Sequence, residues 1–259
     1  MSAPADSWLV RMKRRSHARR RLLCVPYAGV GPSVYRRWAE ALPADVEVGV
    51  LHLPGREGRL REAPFTRIEP LIDAASSALR PHLDLPFAMF GHSMGALVAF
   101  ELARRFRDDQ GSAPTHLFVS GRRAPHLPSR HPAITHLPDE EFVREIRRRY
   151  NGIPDEVMQH PDLLALLLPG LRADLAVIEA YVHRPGRPLD CPIVAFGGVK
   201  DPEATETELV GWRQQTTGAL SVRMFPGGHF FVQSAHEELM RILSEELMLT
   251  VDRTAGPWS

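Results

Sequence analysis

The stretch "AMFGHSMGALVAF", residues 88–100, carries an apolar run into Gly91-His92-Ser93-Met94-Gly95 and out into a second apolar run. The first run has the length of a buried strand. Ala96, Leu97, Val98, Phe100 and Leu102 then follow at helical spacing. Small residues two before and two after Ser93 let strand and helix approach closely at a sharp turn. One reading stops there. The other is chemical: a serine at such a turn is strained, and its hydroxyl projects from the sheet edge. The helix N-terminus then places free N–H groups and positive potential beside that hydroxyl.

On either side of this corner the chain alternates. Short apolar runs closed by Gly or Pro stand at 21–29, 46–55, 86–91, 115–121, 191–198 and 220–228. Helical patterns lie at about 33–42, 68–81, 94–107, 203–214 and 232–249. Brief, continuously apolar strands alternating with helices predict an α/β fold, a mostly parallel sheet covered on both faces. The rhythm breaks between 121 and 191, where helical patterns at 138–150, 154–160 and 161–182 exceed the one helix a crossover needs. The surplus predicts a helical lid, about 125–185, inserted into a single domain spanning 1–259. Its run "LLALLLPGL" (163–171) must bury part of its surface against the body or a greasy cavity.

The 259 residues carry a formal net charge of +1, so no global field draws the chain to nucleic acid or membrane. No apolar run is long enough for a bilayer, and the N-terminus lacks a signal-peptide core. The charge run "RMKRRSHARRR" (11–21) has no interleaved aromatic residues and reads as a solvated lead-in to the first strand. Cys24 and Cys191 each sit at an apolar run and read as reduced core residues of a cytoplasmic protein.

Gly91-x-Ser93-x-Gly95 between strand and helix matches the nucleophile elbow of α/β-hydrolases. A serine nucleophile needs a base, and the base an orienting carboxylate. In this fold the chain order is Ser, acid, His, with the histidine after the last strand. Of twelve histidines, His229 in "FPGGHFFV" has that placement. His236 falls on the following helix, and His92 adjoins the serine on a diverging side chain. The acid is expected after the preceding strand, where "GGVKDPE" offers Asp201. The same Asp-Pro-Glu also suits a helix start. Asp190 precedes its strand, and Asp174 falls within the lid. For the oxyanion, the backbone N–H of Met94 is one donor. A second is expected from "PYAGVGPS": Ala28, with Tyr27 or Gly29 as neighbouring alternatives.

Five segments together resemble the type II thioesterases of polyketide and nonribosomal peptide biosynthesis. They are "PYAGVGPSVYRRW" (26–38), "LPGRE" (53–57), "GHSMGALVAFELA" (91–103), "LPGLRADLAVIEAY" (168–181) and "FPGGHFFV" (225–232), in the family's order. The resemblance implies an α/β-hydrolase fold with a helical lid over an acyl chamber. It implies a catalytic Ser93, Asp201 and His229, oxyanion donors at Ala28 and Met94, and no metal or other cofactor. It also implies release of acyl groups from the phosphopantetheine arm of acyl or peptidyl carrier proteins, removing stalled or aberrant intermediates. Val30 and Val199-Lys200 depart from the family's pattern, and Lys200 stands where it can compete with His229 for Asp201.

Carrier proteins are acidic where they dock. Arg122, Arg123 and Arg130, with Arg144, Arg147, Arg148 and Arg149 of "REIRRRY", are candidates for a basic rim. The alternative is a solvated helix face paired with Glu140, Glu141 and Glu145. The competing functions are a general carboxylesterase or lipase, an acyltransferase or cyclising thioesterase, and a non-catalytic binding module.

Overall fold

The computed structural model describes residues 7–109 and 112–249. The remaining residues of the domain expected over 1–259 lie outside that description. Seven strands form one sheet: β1 (Leu9–Arg11), β2 (Arg20–Val25), β3 (Val46–Leu51), β4 (Phe87–His92), β5 (Leu117–Ser120), β6 (Ile193–Gly198) and β7 (Leu220–Phe225). Their order is β1-β3-β2-β4-β5-β6-β7. All neighbours are parallel except β1, which pairs antiparallel with β3. Every residue of β3, β4 and β6 is buried, as continuous apolar runs require.

β1 has no counterpart among the six apolar runs, and it shares Arg11 with the basic segment. That segment is not simply a solvated lead-in. Arg21 is buried and bonded to Glu47 and Asp84, and Arg15 caps carbonyls of Ala39, Leu42 and Pro43.

Helices cover both faces. α1 (Trp38–Ala41) and the C-terminal helix pack on one side; α2 (Ile68–Leu79) and α3 (Met94–Asp108) pack on the other. Each fully buried Phe, such as Phe90 and Phe118, contributes roughly 2 kcal/mol.

The inserted segment is helical: α4 (Asp139–Tyr150), α5 (Asp155–Met158) and α6 (Pro161–Glu179) share a small apolar core of Phe142, Val143, Ile146, Leu168 and Leu175. The "LLALLLPGL" run buries Leu168, but Leu163 and Leu166 remain 40% and 51% exposed. Pro169 lies inside α6. The next residue, Gly170, meets the body so closely that an added Cβ would lie 3.0 Å from the Gly55 carbonyl oxygen. Among the described residues, no helix is long and apolar enough to cross a membrane.

The helix predicted over 33–42 is a 3-10 turn, Pro32–Tyr35, followed by α1, and two others also differ. α7 (Glu206–Val210) starts at 206 rather than 203, because Thr205 and Glu208 form a capping box. The helix predicted over 232–249 is two, α8 (Phe231–Ser234) and α9 (His236–Leu249), separated at Ala235.

Candidate active site

Ser93 stands between β4 and α3 at φ 53° and ψ −115°, a conformation unusual for a residue with a side chain. Crowding explains how the chain holds it there. A Cβ on Gly91 would lie 2.0 Å from the Gly95 oxygen, and one on Gly95 would lie 2.2 Å from the Val25 oxygen. The Ser93 N–H donates to the Ser120 carbonyl at 2.8 Å, tying the corner to β5.

Asp201 and His229 come from the loops after β6 and β7. Those loops are laced together: Val199 N–H donates to Phe225 O at 2.9 Å, and Lys200 N–H to Gly227 O at 2.8 Å. Gly227 has φ 116°, which lets the chain turn back toward the sheet. As a result, His229 Nδ1 and Asp201 Oδ2 lie 2.9 Å apart, with both residues buried. The other oxygen, Oδ1, accepts the Glu203 N–H at 2.9 Å. Asp201 is thus the histidine partner, while the helix start that Asp-Pro-Glu suggested falls instead at Thr205, the cap of α7. Lys200 points out to solvent.

Ser93, His229 and Ala28 line one pocket, together with Tyr27, Tyr150 and Leu171. Its volume is only about 30 Å³, so it is narrow. Tyr150 lies 5.2 Å from the His229 ring, and burial pushes its hydroxyl up to about 12, so it is a neutral phenol. Phe230 also lines this pocket, whereas Phe231 is fully buried in the core. His92 lies beneath it, its Nδ1 3.0 Å from Ser120 Oγ and its ring 4.9 Å from that of His229. Burial, then the proximity of His229, holds His92 well below its ordinary pKa, so it stays uncharged.

Met94 is the first residue of α3, where helix N–H groups have no intrahelical acceptor. Among the alternatives around Ala28, Gly29 is engaged elsewhere. Its N–H donates to Asp174 Oδ2 at 2.8 Å. Asp174 also takes a two-pronged bond from Arg56, at 2.7 and 2.9 Å, with both residues buried. Burial raises the Asp174 carboxyl above its usual value, and Arg56 followed by Gly29 pulls it back. This strap joins α6, the 53–57 turn and the loop carrying Ala28. Sequence reasoning quoted both partners without pairing them. The available signal was one aspartate set among the apolar residues of α6.

Among the described residues, five of the seven candidate arginines are paired with carboxylates, and Arg144 is exposed without an ion pair. Arg123 and Arg130 both reach Glu208, Arg148 and Arg149 reach Glu145, and Arg147 reaches Asp155. Arg122 lines a cavity.

With this geometry in place, the comparisons with known proteins become decisive. Residues 20–247 match the model of the thioesterase domain. The chain belongs to the thioesterase family. This thioesterase is 41% identical to the gramicidin S biosynthesis protein GrsT of Aneurinibacillus migulanus, over 95% of this chain and 96% of that one. Its fold is similar to that of RedJ, a thioesterase from the prodiginine pathway in Streptomyces coelicolor. There the TM-score is 0.84 and the identity 42%, covering 90% of this chain and 92% of RedJ. BorB, a type II thioesterase from the borrelidin biosynthetic cluster, gives a TM-score of 0.86 at 36% identity, covering 93% and 98%. The fold is accordingly that of an α/β-hydrolase, and the thioesterase is a hydrolase of thioesters.

Proposed function

We propose that this thioesterase releases acyl groups from the phosphopantetheine arm of acyl or peptidyl carrier proteins, clearing stalled or aberrant intermediates of polyketide or nonribosomal peptide synthesis. The observation that carries the reading is the 2.9 Å contact between Asp201 and His229 beside the strained Ser93. The biosynthetic settings of GrsT, RedJ and BorB support the choice of carrier-bound substrates.

Ser93 Oγ attacks the thioester carbonyl carbon as His229 Nε2 takes its proton. Asp201 fixes the Nδ1–H tautomer and stabilises the imidazolium. The oxyanion receives the N–H groups of Met94 and Ala28, each worth about 3 kcal/mol in the transition state. His229 returns the proton to the departing thiol. Water, deprotonated by His229, then attacks the acyl-serine and frees the acid. Cys24 and Cys191 are free thiols, in keeping with a reaction in the cytoplasm.

The test is a purified carrier protein loaded with a panel of acyl groups, followed by intact-mass spectrometry. Ser93→Ala is expected to lower release at least about a thousandfold. A variant that hydrolyses at the wild-type rate overturns the reading.

A further inference from the structure

Arg122 follows the end of β5, two residues beyond the Ser120 carbonyl that holds the Ser93 N–H. Its backbone is pinned, because the buried Trp212 donates Nε1–H to Arg122 O at 2.8 Å. Its side chain lines a cavity of about 510 Å³ between the 122–132 loop and the lid. That volume is typical of a small-molecule site. The cavity shares Tyr150, Leu175 and Ile178 with the small pocket at Ser93, so the two chambers abut.

The charged groups around this cavity are nearly all engaged. Arg123 and Arg130 reach Glu208, and Arg149 reaches Glu145. Glu203 is 2.9 Å from His131, and Glu179 accepts the Ile134 N–H at 2.7 Å. Arg123 leaves Nε and Nη1 unpartnered but is paired through Nη2, whereas Arg122 has no ion pair at all among the described residues. Among the described residues, no side chain or carbonyl accepts a hydrogen bond from its guanidinium, and Nε is buried without a partner. Arg122 is half-buried, and the nearby Glu203 acts on it only through space, its Oε1 being 2.9 Å from His131. A guanidinium so placed has donors to spare, and its planar fork matches a carboxylate or phosphate.

We propose that Arg122 and the cavity it lines form an oxyanion-binding subsite that recognises a carboxylate or phosphate carried by the thioester substrate. The proposal rests on the thioesterase reading of Ser93. The charge can come from either side of the scissile bond. A dicarboxylic acyl group carries it a few bonds from the carbonyl, whereas phosphopantetheine carries it at the far end of the arm. The closeness of Arg122 to β5 and the nucleophile favours the acyl-borne carboxylate.

The experiment compares matched substrates. One arm sets glutaryl against pentanoyl N-acetylcysteamine thioester. The other sets pentanoyl 4′-phosphopantetheine against pentanoyl pantetheine. Wild-type protein is expected to prefer the anionic member of one pair by about tenfold or more in kcat/KM, and Arg122→Met to collapse that ratio. The responding pair identifies the source of the charge. Arg122→Lys is expected to restore part of the ratio. Calorimetry with the same four thioesters on Ser93→Ala protein, with and without Arg122→Met, reads the subsite without turnover. It therefore separates failure of the subsite from failure of the hydrolytic reading. If wild-type protein and the Ser93→Ala protein show no preference within either pair, the subsite is overturned. An Arg122→Met protein that retains the wild-type ratio overturns it as well.

Discussion

The corner between β4 and α3 and the lid helix α6 both pack beside Ser93, yet different forces hold them. At the corner the constraint is steric and short-range: any side chain on Gly91 or Gly95 runs into backbone oxygen. α6 packs through Leu168, Leu175 and Val177, and its place is fixed by charge, through Asp174 to Arg56, Arg172 to Asp139 and Glu179 to the Ile134 N–H. A steric demand selects glycine whichever backbone lies opposite, so it is written at the position itself. An ionic demand selects a partner anywhere in the chain.

The comparison breaks most sharply at Gly91. Gly91→Val is expected to cost about 5 kcal/mol or more, read as a loss of soluble protein or a collapsed denaturant midpoint. A wild-type midpoint removes the steric account of the corner. Next in size is the strap. Asp174→Ala leaves Arg56 buried and unpaired and is expected to cost about 3 kcal/mol in chemical denaturation. Replacing both by apolar residues, Arg56→Met with Asp174→Leu, is expected to recover much of that loss. If the double variant is as unstable as the sum of the singles, charge is not what holds α6.

A smaller effect sharpens the contrast from the substrate side. Leu171 reaches toward Gly29 and lines the pocket at Ser93. Leu171→Ala is expected to cost about 2 kcal/mol of stability while raising hydrolysis of longer acyl thioesters relative to acetyl. The smallest effect belongs to His92. Its folded-state pKa lies well below the ordinary 6.5. As pH falls below that value, the unfolded chain takes up a proton that the folded chain refuses. Stability then declines by up to about 1.4 kcal/mol per pH unit. His92→Gln is expected to flatten that slope in denaturation midpoints measured between pH 6.5 and 5.

The same contrast explains what the sequence made legible. The five residues around Ser93, the loop position of His229 and that of Asp201 follow from strand ends and glycines, and all three were readable. β1 was not, because three residues at an antiparallel edge carry no periodicity and one of them is Arg11. The Arg56–Asp174 pairing was not, because 118 residues separate its members. Arg122 read as a rim charge because a basic run shows sign but not burial. The lid helices were legible as helices, but which leucines they expose depends on packing that no single segment encodes.

Pro169 interrupts the hydrogen-bond ladder of α6. It lacks the N–H that would bond the Ala165 carbonyl, so the helix bends there at reduced cost. Beyond it, Gly170 abuts Gly55 and Asp174 is locked to Arg56, which makes that half a fixed post. The half before it carries no such anchor: Leu163 and Leu166 face water, and Leu168 packs only within the small apolar core of the inserted helices. Widening of the chamber at Ser93 is therefore expected before Pro169 rather than after it, which leaves the loop that receives the oxyanion undisturbed.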